Sequence, residues 1–425
     1  MKFDYRQLMP ETVRLGNGIP LYLFPDSHSE LLRLEFIFEA GSSLQEKPIQ
    51  ARACSALLEA TLHHSADAMT ERFDYYGAYM EKYVDRDQSS IVIYALARYS
   101  REIIALCEEI FKEAVFSAAE LQLYLEKQRS QFDIAMQKVA EVSRRAFFAQ
   151  VFGERHPYGV SVERTDFDGL QREDVEAFYR RFYVAANAAI VLAGGYGDGT
   201  VQALADSFGR DFPIGQAAPT DRTVGPVLPS PRFGFVSKPG ALQASVRMGK
   251  VVMPPTDAGF STFKVLDYLF GGYFGSRIMQ NIREEKGYTY GISSYILPLR
   301  AHTVWIVASE VKQACSRQVV AEIQNEMRKL CDRKPGKKEL NIVRQVYQGD
   351  FLREMDGIFE IAEKWKFLRM FGLTDVFYRQ FAETLENIEP SDIQQAAQCY
   401  FTPDSFHVTV CGDGVEQEIL QEKTQ

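Results

Sequence analysis

The sequence predicts an α+β protein made of two tandem homologous α/β domains, and three observations carry that prediction. At 425 residues the chain is too long for one ordinary hydrophobic core. With 46% apolar and 25% charged residues, it has the composition of a globular protein with material for sizeable cores. The second observation is a duplication. "LQREDVEAFYRRFYVAANAAIVLAGG" (170–195) aligns without a gap with "IEPSDIQQAAQCYFTPDSFHVTVCGD" (388–413), 218 residues later. Each copy opens as an acidic helix start, continues with helical apolar spacing, turns, and ends as a β-branched strand closed by glycine. Upstream, "SREIIALCEEIFKEAVFSAAEL" (100–121) matches 316–340 with a three-residue insertion. Third, the stretch 211–232 holds five of the 17 prolines and no hydrophobic period, so it reads as a linker. The expected layout is residues 1–210, a linker at 211–232, and residues 233–425.

In the first copy, "VRLGNGIPLYLF" predicts a hairpin around Gly16, Asn17 and Gly18. "LLRLEFIFEAG" alternates Leu32, Leu34, Phe36 and Phe38 with Arg33, Glu35 and Glu39, a strand with one buried face. "IQARACSALLEATLHH" (49–64) reads as an amphipathic helix ending in two histidines, with Glu59 one turn before His63. Ser65 caps the next helix, which carries Met69, Phe73 and Tyr76 on one side and stops at Gly77. "SSIVIYALA" is a strand, and long helices fill 100–153. The second copy opens with two strands, "RFGFVSK" and "ASVRMGKVVM", before its helices. Strands gathered into a sheet with helices on one face give the α+β character.

Composition excludes some functions. A net charge of −9 and a pI near 5.4 argue against a general binder of nucleic acid or of anionic membranes, whose surface needs a basic excess. Apolar runs such as "AAIVLAGG" fall far short of a membrane span. The start, "MKFDYRQLMPETVRLGNG", has no apolar secretory core. Six cysteines (Cys54, Cys107, Cys315, Cys331, Cys399, Cys411) are scattered without a CxxC pair, as buried reduced thiols would be. A cytoplasmic location is the expectation.

The most specific passage is "LFGGYFGSRIMQNIREEKGYTYGISSYI" (269–296). A turn at Gly271, Gly272 and Gly275 feeds a helix capped near Ser276, which carries Ile278, Met279 and Ile282 and stops at Gly287. A strand with Tyr288, Tyr290 and Ile292 follows at once. Arg283 thus sits in a helix's last turn and Tyr290 on the adjoining strand. Taken alone, the pair reads first as a surface arginine beside Glu284 and a core tyrosine. The other reading is a guanidinium and a phenol that hold the carbonyls of an extended peptide against a strand edge. The glycines lack the GK[ST] of a phosphate loop.

This passage resembles the second-domain signature of the insulinase (pitrilysin) metallopeptidases, most closely their short, two-domain processing-protease branch. "GSSLQEKP", "SADAMTERFDYYGA", "VFGERHPYG", "FYRRFYVAANAAIVLAGG" and the duplication all fall where that family has them. The resemblance implies two similar domains, each a mixed, mainly antiparallel sheet with helices on one face, paired as a clam-shell. It also implies that two chains, or one double-length chain, enclose a chamber holding an extended peptide against an edge strand. The family's substrate-gripping Arg and Tyr map onto Arg283 and Tyr290.

Active members of that family carry an inverted zinc motif, HxxEH, with a further Glu ligand on a later helix. Two imidazoles and a carboxylate hold the ion, and the motif's own Glu acts as general base. Counting back from "SADAMTERFDYYGA" places the motif on Ala51 to Ser55. Ala51 and Ser55 stand where the histidines belong, and Cys54 stands where the base belongs. The third ligand falls at Ser130 and Gln131, with Glu126 a helical turn away. Glu59 and His63 could share a helical face, but His64 points about 100° away, so the two histidines cannot chelate together. They read instead as a solvated helix end favoured by the dipole. His156 matches a family turn residue, and His28, His302 and His407 have no partner pattern. Cys54 lacks an activating neighbour in sequence.

The resemblance, with its losses, implies a substrate-binding subunit that is not active alone and holds no metal in this chain. Zinc is expected in a paralogous HxxEH partner, and extended peptides are the expected ligand. The alternative is a homodimeric peptide-binding or structural scaffold.

Overall fold

A computed structural model describes residues 3–219, 232–402 and 405–414. Its first half runs β1 (Glu11–Arg14), β2 (Pro20–Pro25), β3 (Leu31–Phe38), α1 (Gln50–Ala56), α2 (Ala66–Tyr75), β4 (Tyr79–Val84) and β5 (Ser89–Leu96). Then come α3 (Ser100–Lys112), α4 (Ala118–Ala135), α5 (Val139–Phe152), α6 (Asp166–Gly169), α7 (Arg172–Phe182), β6 (Ala188–Gly194) and α8 (Asp198–Phe208). The second half runs β7 (Phe233–Ser237), β8 (Gln243–Val252), α9 (Phe260–Asp267), two π-wound segments (Tyr268–Gly272, Met279–Glu285), β9 (Thr289–Pro298) and β10 (Thr303–Lys312). It ends with α10 (Ser316–Asp332), α11 (Lys337–Arg353), α12 (Ile358–Phe371), α13 (Val376–Asn387), α14 (Pro390–Tyr400) and β11 (His407–Gly412).

Both halves weave the same sheet. Strand order is β1-β2-β6-β3-β5-β4 in one and β7-β11-β8-β10-β9 in the other, so the second order repeats the first without β1. Among the described residues only the β2–β6 and β7–β11 pairs run parallel, which makes both sheets mixed and mainly antiparallel. The hairpin expected around Gly16–Gly18 joins β1 to β2, with Gly18 at φ 91°. Strand β4, which the sequence reading passed over, is an edge strand in the place that β9 holds in the second sheet.

One face of each sheet packs on helices of its own half. Leu34, Phe36 and Phe38 of β3 join Ile103, Phe111 and Phe178 in the first core. The opposite faces are covered by an exchange. From the second half, α12 lays Ile361, Ala362 and Trp365 over Val191 and Ala193 of β6, and Trp365 stands 4.2 Å from the Tyr22 ring of β2. From the first half, α5 lays Phe147, Phe148 and Val151 over Val304 and Ile306 of β10. These two helices have equal length and lie 219 residues apart, close to the sequence repeat.

The exchange corrects the expectation that Arg33 and Glu35 face solvent. Both are buried beneath α12. Burying charge is tolerable only with partners. Arg33 donates to Glu35 at 2.7 Å and also to Glu363, and Lys366 pairs with Glu35 at 2.8 Å.

Most of the proline-rich stretch, residues 220–231, lies outside the described residues. The part before it is held on the first half. Pro213 and Ile214 carbonyls accept from the Ala185 and Ala186 N–H groups at 2.7 and 2.9 Å, and the Ala218 N–H donates to Asn187 at 2.6 Å. Among the described residues no helix is long and apolar enough to cross a membrane.

Candidate functional site

Helix α1 is shorter than the periodicity suggested. It ends at Ala56, so His63 and His64 lie well beyond it, and the helix-end reading of the histidines is corrected. His64 Nδ1 meets Glu109 at 2.7 Å, His63 Nε2 meets Glu113 at 3.0 Å, and Glu59 takes Lys82 at 2.6 Å instead of His63. Each histidine is drawn to a carboxylate of the α3 segment, a tertiary pairing invisible to helical periodicity.

Packing holds α1. Ala51, Ala53 and Cys54 are fully buried, and Ser55 nearly so. Gln45 accepts from the Ala51 N–H at 3.3 Å. Gln50 accepts from the Glu46 N–H at 2.9 Å and donates to the Asp174 carbonyl at 2.7 Å. Chain entry is strained: Ile49 has φ 73°, the one non-glycine left-handed residue among those described. Such a conformation costs on the order of 1–3 kcal/mol and persists only where surroundings impose it. At the other end, Lys82 of β4 donates to the Ala56 carbonyl at 3.0 Å, where a cation favours the helix dipole. Burial pushes the Cys54 thiol far above its ordinary range, so it is no thiolate nucleophile at neutral pH.

The donor set does not fit zinc. Ala51 offers no donor atom, the Cys54 thiol is buried and protonated, and Ser55 supplies a neutral hydroxyl. On α4, Ser130 is exposed and bonds back to the Glu126 carbonyl at 3.0 Å. Gln131 is also exposed, and it shares a cavity with Arg52 of α1 while Cys54 and Ser55 do not. Glu126 accepts from Gln122 at 2.8 Å. Among the described residues, no group of three or more His, Cys, Asp or Glu could hold a metal ion.

Arg283 and Tyr290 lie together. Both line a cleft of about 300 Å³ with Gln243, Tyr288 and Lys312, on the open edge of the second sheet. Arg283 sits in the last turn of the π-wound segment, donates to Glu284, and stacks over the Phe274 ring at 4.7 Å. The ion pair with Glu284 is the one the plainer sequence reading expected. Tyr290 departs from that reading: it is 92% exposed instead of buried in a core. Its exposure has a local cause. The β9–β10 register slips between Ser309 and Val311, so Tyr290 and Gly291 bulge opposite Glu310. A bulge bends the strand and re-aims its side chains.

Thr289, which the sequence reading did not single out, secures the bulge. Its hydroxyl accepts from the Gly291 N–H at 3.0 Å and reaches the Glu310 carbonyl at 2.5 Å. Ser309 donates to the Gly291 carbonyl at 2.9 Å. The glycine-rich turn braces the same strand: a Cβ on Gly271 would stand 2.6 Å from the Ser294 backbone nitrogen. Beneath lies Asp267, accepting from Ser294 Oγ at 2.5 Å and Trp305 Nε1 at 2.6 Å. Burial pushes its carboxyl up to about 6. Ser276 stands at the helix start as expected, but its buried hydroxyl makes no capping bond.

At the junction of the halves, His156 and His302 meet with ring centroids 5.7 Å apart. Burial and the neighbouring His302 lower His156 to about 4, which favours two neutral rings. That fits a structural turn residue at His156 and gives His302 a partner the sequence did not suggest.

Comparison with known proteins agrees with this architecture. Residues 169–347 match the peptidase M16 inactive domain. The crystal structure of a peptidase M16 inactive domain from Pseudomonas fluorescens superposes with a TM-score of 0.86 at 19% identity, over 95% of this chain and 98% of that one. A protease from Helicobacter pylori gives 0.81 at 15% identity, over 95% and 100%. An uncharacterized zinc protease of Rickettsia bellii is 19% identical over 412 residues, 93% of this chain and 96% of the relative. At such identities the likeness to the solved structures is one of fold. Residues 169–347 are thus similar to the inactive domain of the M16 peptidases, the insulinase-like metallopeptidases, and nearly the whole chain shares the fold of that solved M16 structure.

Proposed function

We propose that this chain is the non-catalytic, peptide-binding subunit of a heterodimeric zinc endopeptidase. The observation that carries the reading is a contrast within one chain: Arg283 and a bulged, exposed Tyr290 share a cleft at an open strand edge, while α1 presents Ala51, Cys54 and Ser55. An extended peptide pairs with the free edge of β9, the Arg283 guanidinium donates to its carbonyls, and the Tyr290 hydroxyl donates to a carbonyl oxygen gaining negative charge. A paralogous HxxEH chain brings the zinc and the general base, and the two act in the cytoplasm.

The test is purification of the chain alone and co-expressed with an HxxEH-containing paralogue, with zinc content and peptide cleavage measured in each. Zinc and cleavage should appear only in the complex. Within it, Tyr290→Phe should lower the cleavage rate on the order of 10²–10³-fold with an unchanged melting temperature. Zinc-dependent cleavage by the lone chain, or a wild-type rate in the Tyr290→Phe complex, would overturn the reading. A lone homodimer that binds peptides and gains no activity from the paralogue would mark a scaffold instead.

A further inference from the structure

Beside the emptied helix lies a cavity of about 640 Å³, within the size range of small-ligand sites. Segments far apart in sequence wall it: Arg52 on α1, Arg86 in the β4–β5 turn, Gln131 on α4, Arg144 and Arg145 on α5, and Arg155 in the following loop. Phe132, Phe148, Phe167 and Leu297 give it apolar sides. It shares no residue with the Arg283–Tyr290 cleft.

Its arginines outnumber its carboxylates by one: Arg52, Arg86, Arg144, Arg145 and Arg155 against Glu46, Asp85, Asp87 and Glu141. Arg144 is taken by Glu141 and Arg145 by Glu163, at 2.6 and 2.8 Å. Glu46, also on the wall, is taken by Arg181 at 2.7 Å. Asp87 accepts from the Tyr158 hydroxyl at 2.6 Å and from the Arg300 N–H at 2.9 Å, and Asp85 from the Asp87 and Gln88 N–H groups at 2.6 and 2.7 Å. Arg52, Arg86 and Arg155 form no ion pair with any described residue.

Arg86 is the preorganised member. Its guanidinium lies over the Phe148 ring at 4.1 Å. Its backbone is held because Ser42 and Ser43 N–H groups donate to the Asp85 and Arg86 carbonyls at 2.9 Å each. That close approach needs Gly41, where a Cβ would stand 2.4 Å from Asp87 backbone atoms. Burial, then the nearby Arg144 charge, depresses the Arg86 guanidinium's proton affinity; Asp87 and Asp85 offset part of this, and a further anion facing the guanidinium relieves more of it.

We propose that this cavity is a receptor for a peptide carboxylate, with Arg86 as the principal contact and Arg52 and Arg155 at its rim. A planar carboxylate matches the fork of one stacked guanidinium, and the aromatic walls suit the flanking chain. The carboxylate can be a chain terminus or an acidic side chain. The site goes beyond the subunit role proposed above and does not depend on it, because it lies within a single chain.

Binding to the purified chain, measured by calorimetry with three pentapeptides, tests the assignment. One is blocked at both ends with a central Glu, one is blocked with Gln in its place, and one carries Gln and a free C-terminal carboxylate. Binding of the first marks a side-chain site, and binding of the third marks a terminal one. Arg86→Gln should weaken the bound peptide on the order of tenfold, and Arg86→Lys by less, at unchanged melting temperature. Equal binding of the blocked Gln peptide, no binding of either acid, or wild-type affinity in Arg86→Gln would overturn the proposal.

Discussion

Helices α1 and α9 hold equivalent places after the second strand of a common weave, yet they carry opposite chemistry. In α1 the inward positions are Ala51, Cys54 and Ser55, neutral and packed. In α9 the inward end is Asp267, a buried carboxyl that ties the β9 and β10 strands through Ser294 and Trp305. Edge strands differ in the same way. The β4 edge sends Lys82 back to cap α1, whereas the β9 edge bulges and turns Tyr290 outward. Duplication preserved the weave because the weave depends on apolar pattern. Site chemistry depends on single side chains, and each half could lose or keep its own.

The largest expected effect tests whether the halves are separable at all. If the exchanged helix α12 completes the first sheet, Trp365→Ala should destabilise the protein by about 3–5 kcal/mol, since it removes a buried indole from Tyr22 and Phe24. Chemical denaturation checks this, and a loss under 1 kcal/mol would mean that the halves stand without the exchange.

Next comes the charge difference between the two helices. Asp267 titrates at about 6 in the fold and near 3.8 in the unfolded chain. A raised folded pKa means the native state binds the proton more tightly. Its stabilisation is therefore complete below pH 3.8 and is lost as pH rises through about 6. The shift is worth up to about 3 kcal/mol. Asp267→Asn should flatten this contribution to the melting temperature between pH 4 and 7. An unchanged pH profile would remove Asp267 from the account, and no counterpart is expected from α1.

The smallest effect concerns imidazole and carboxylate placed on α1. Ala51→His places an imidazole where no space exists and should cost about 1–3 kcal/mol through overpacking. The triple change Ala51→His, Cys54→Glu, Ser55→His should still bind no zinc, because Ser130 and Gln131 offer no carboxylate. Metal analysis showing one zinc per chain would sink that expectation.

Much of this was legible in residues alone. The 218-residue repeat became two sheets of one strand order, and the spacing of Arg283 and Tyr290 became a shared cleft. Arg33 and Glu35 were misread because alternation reports that a strand has two faces, not what covers the second. Residues 57–64 were misread because apolar spacing continued after the helix hydrogen bonds had stopped.

The sequence by itself determined the duplication, the absence of carboxylate and imidazole at Ala51, Cys54 and Ser55, and the seven-residue spacing of Arg283 and Tyr290, all consequences of residue identity and local order. Only the tertiary structure decided that α5 and α12 change places, that a bulge turns Tyr290 into solvent, and that Arg52, Arg86 and Arg155 surround one cavity. Those three depend on contacts between residues dozens to hundreds of positions apart. Periodicity and propensity describe a segment's own preferences, and they hold no information about which distant segment will meet it.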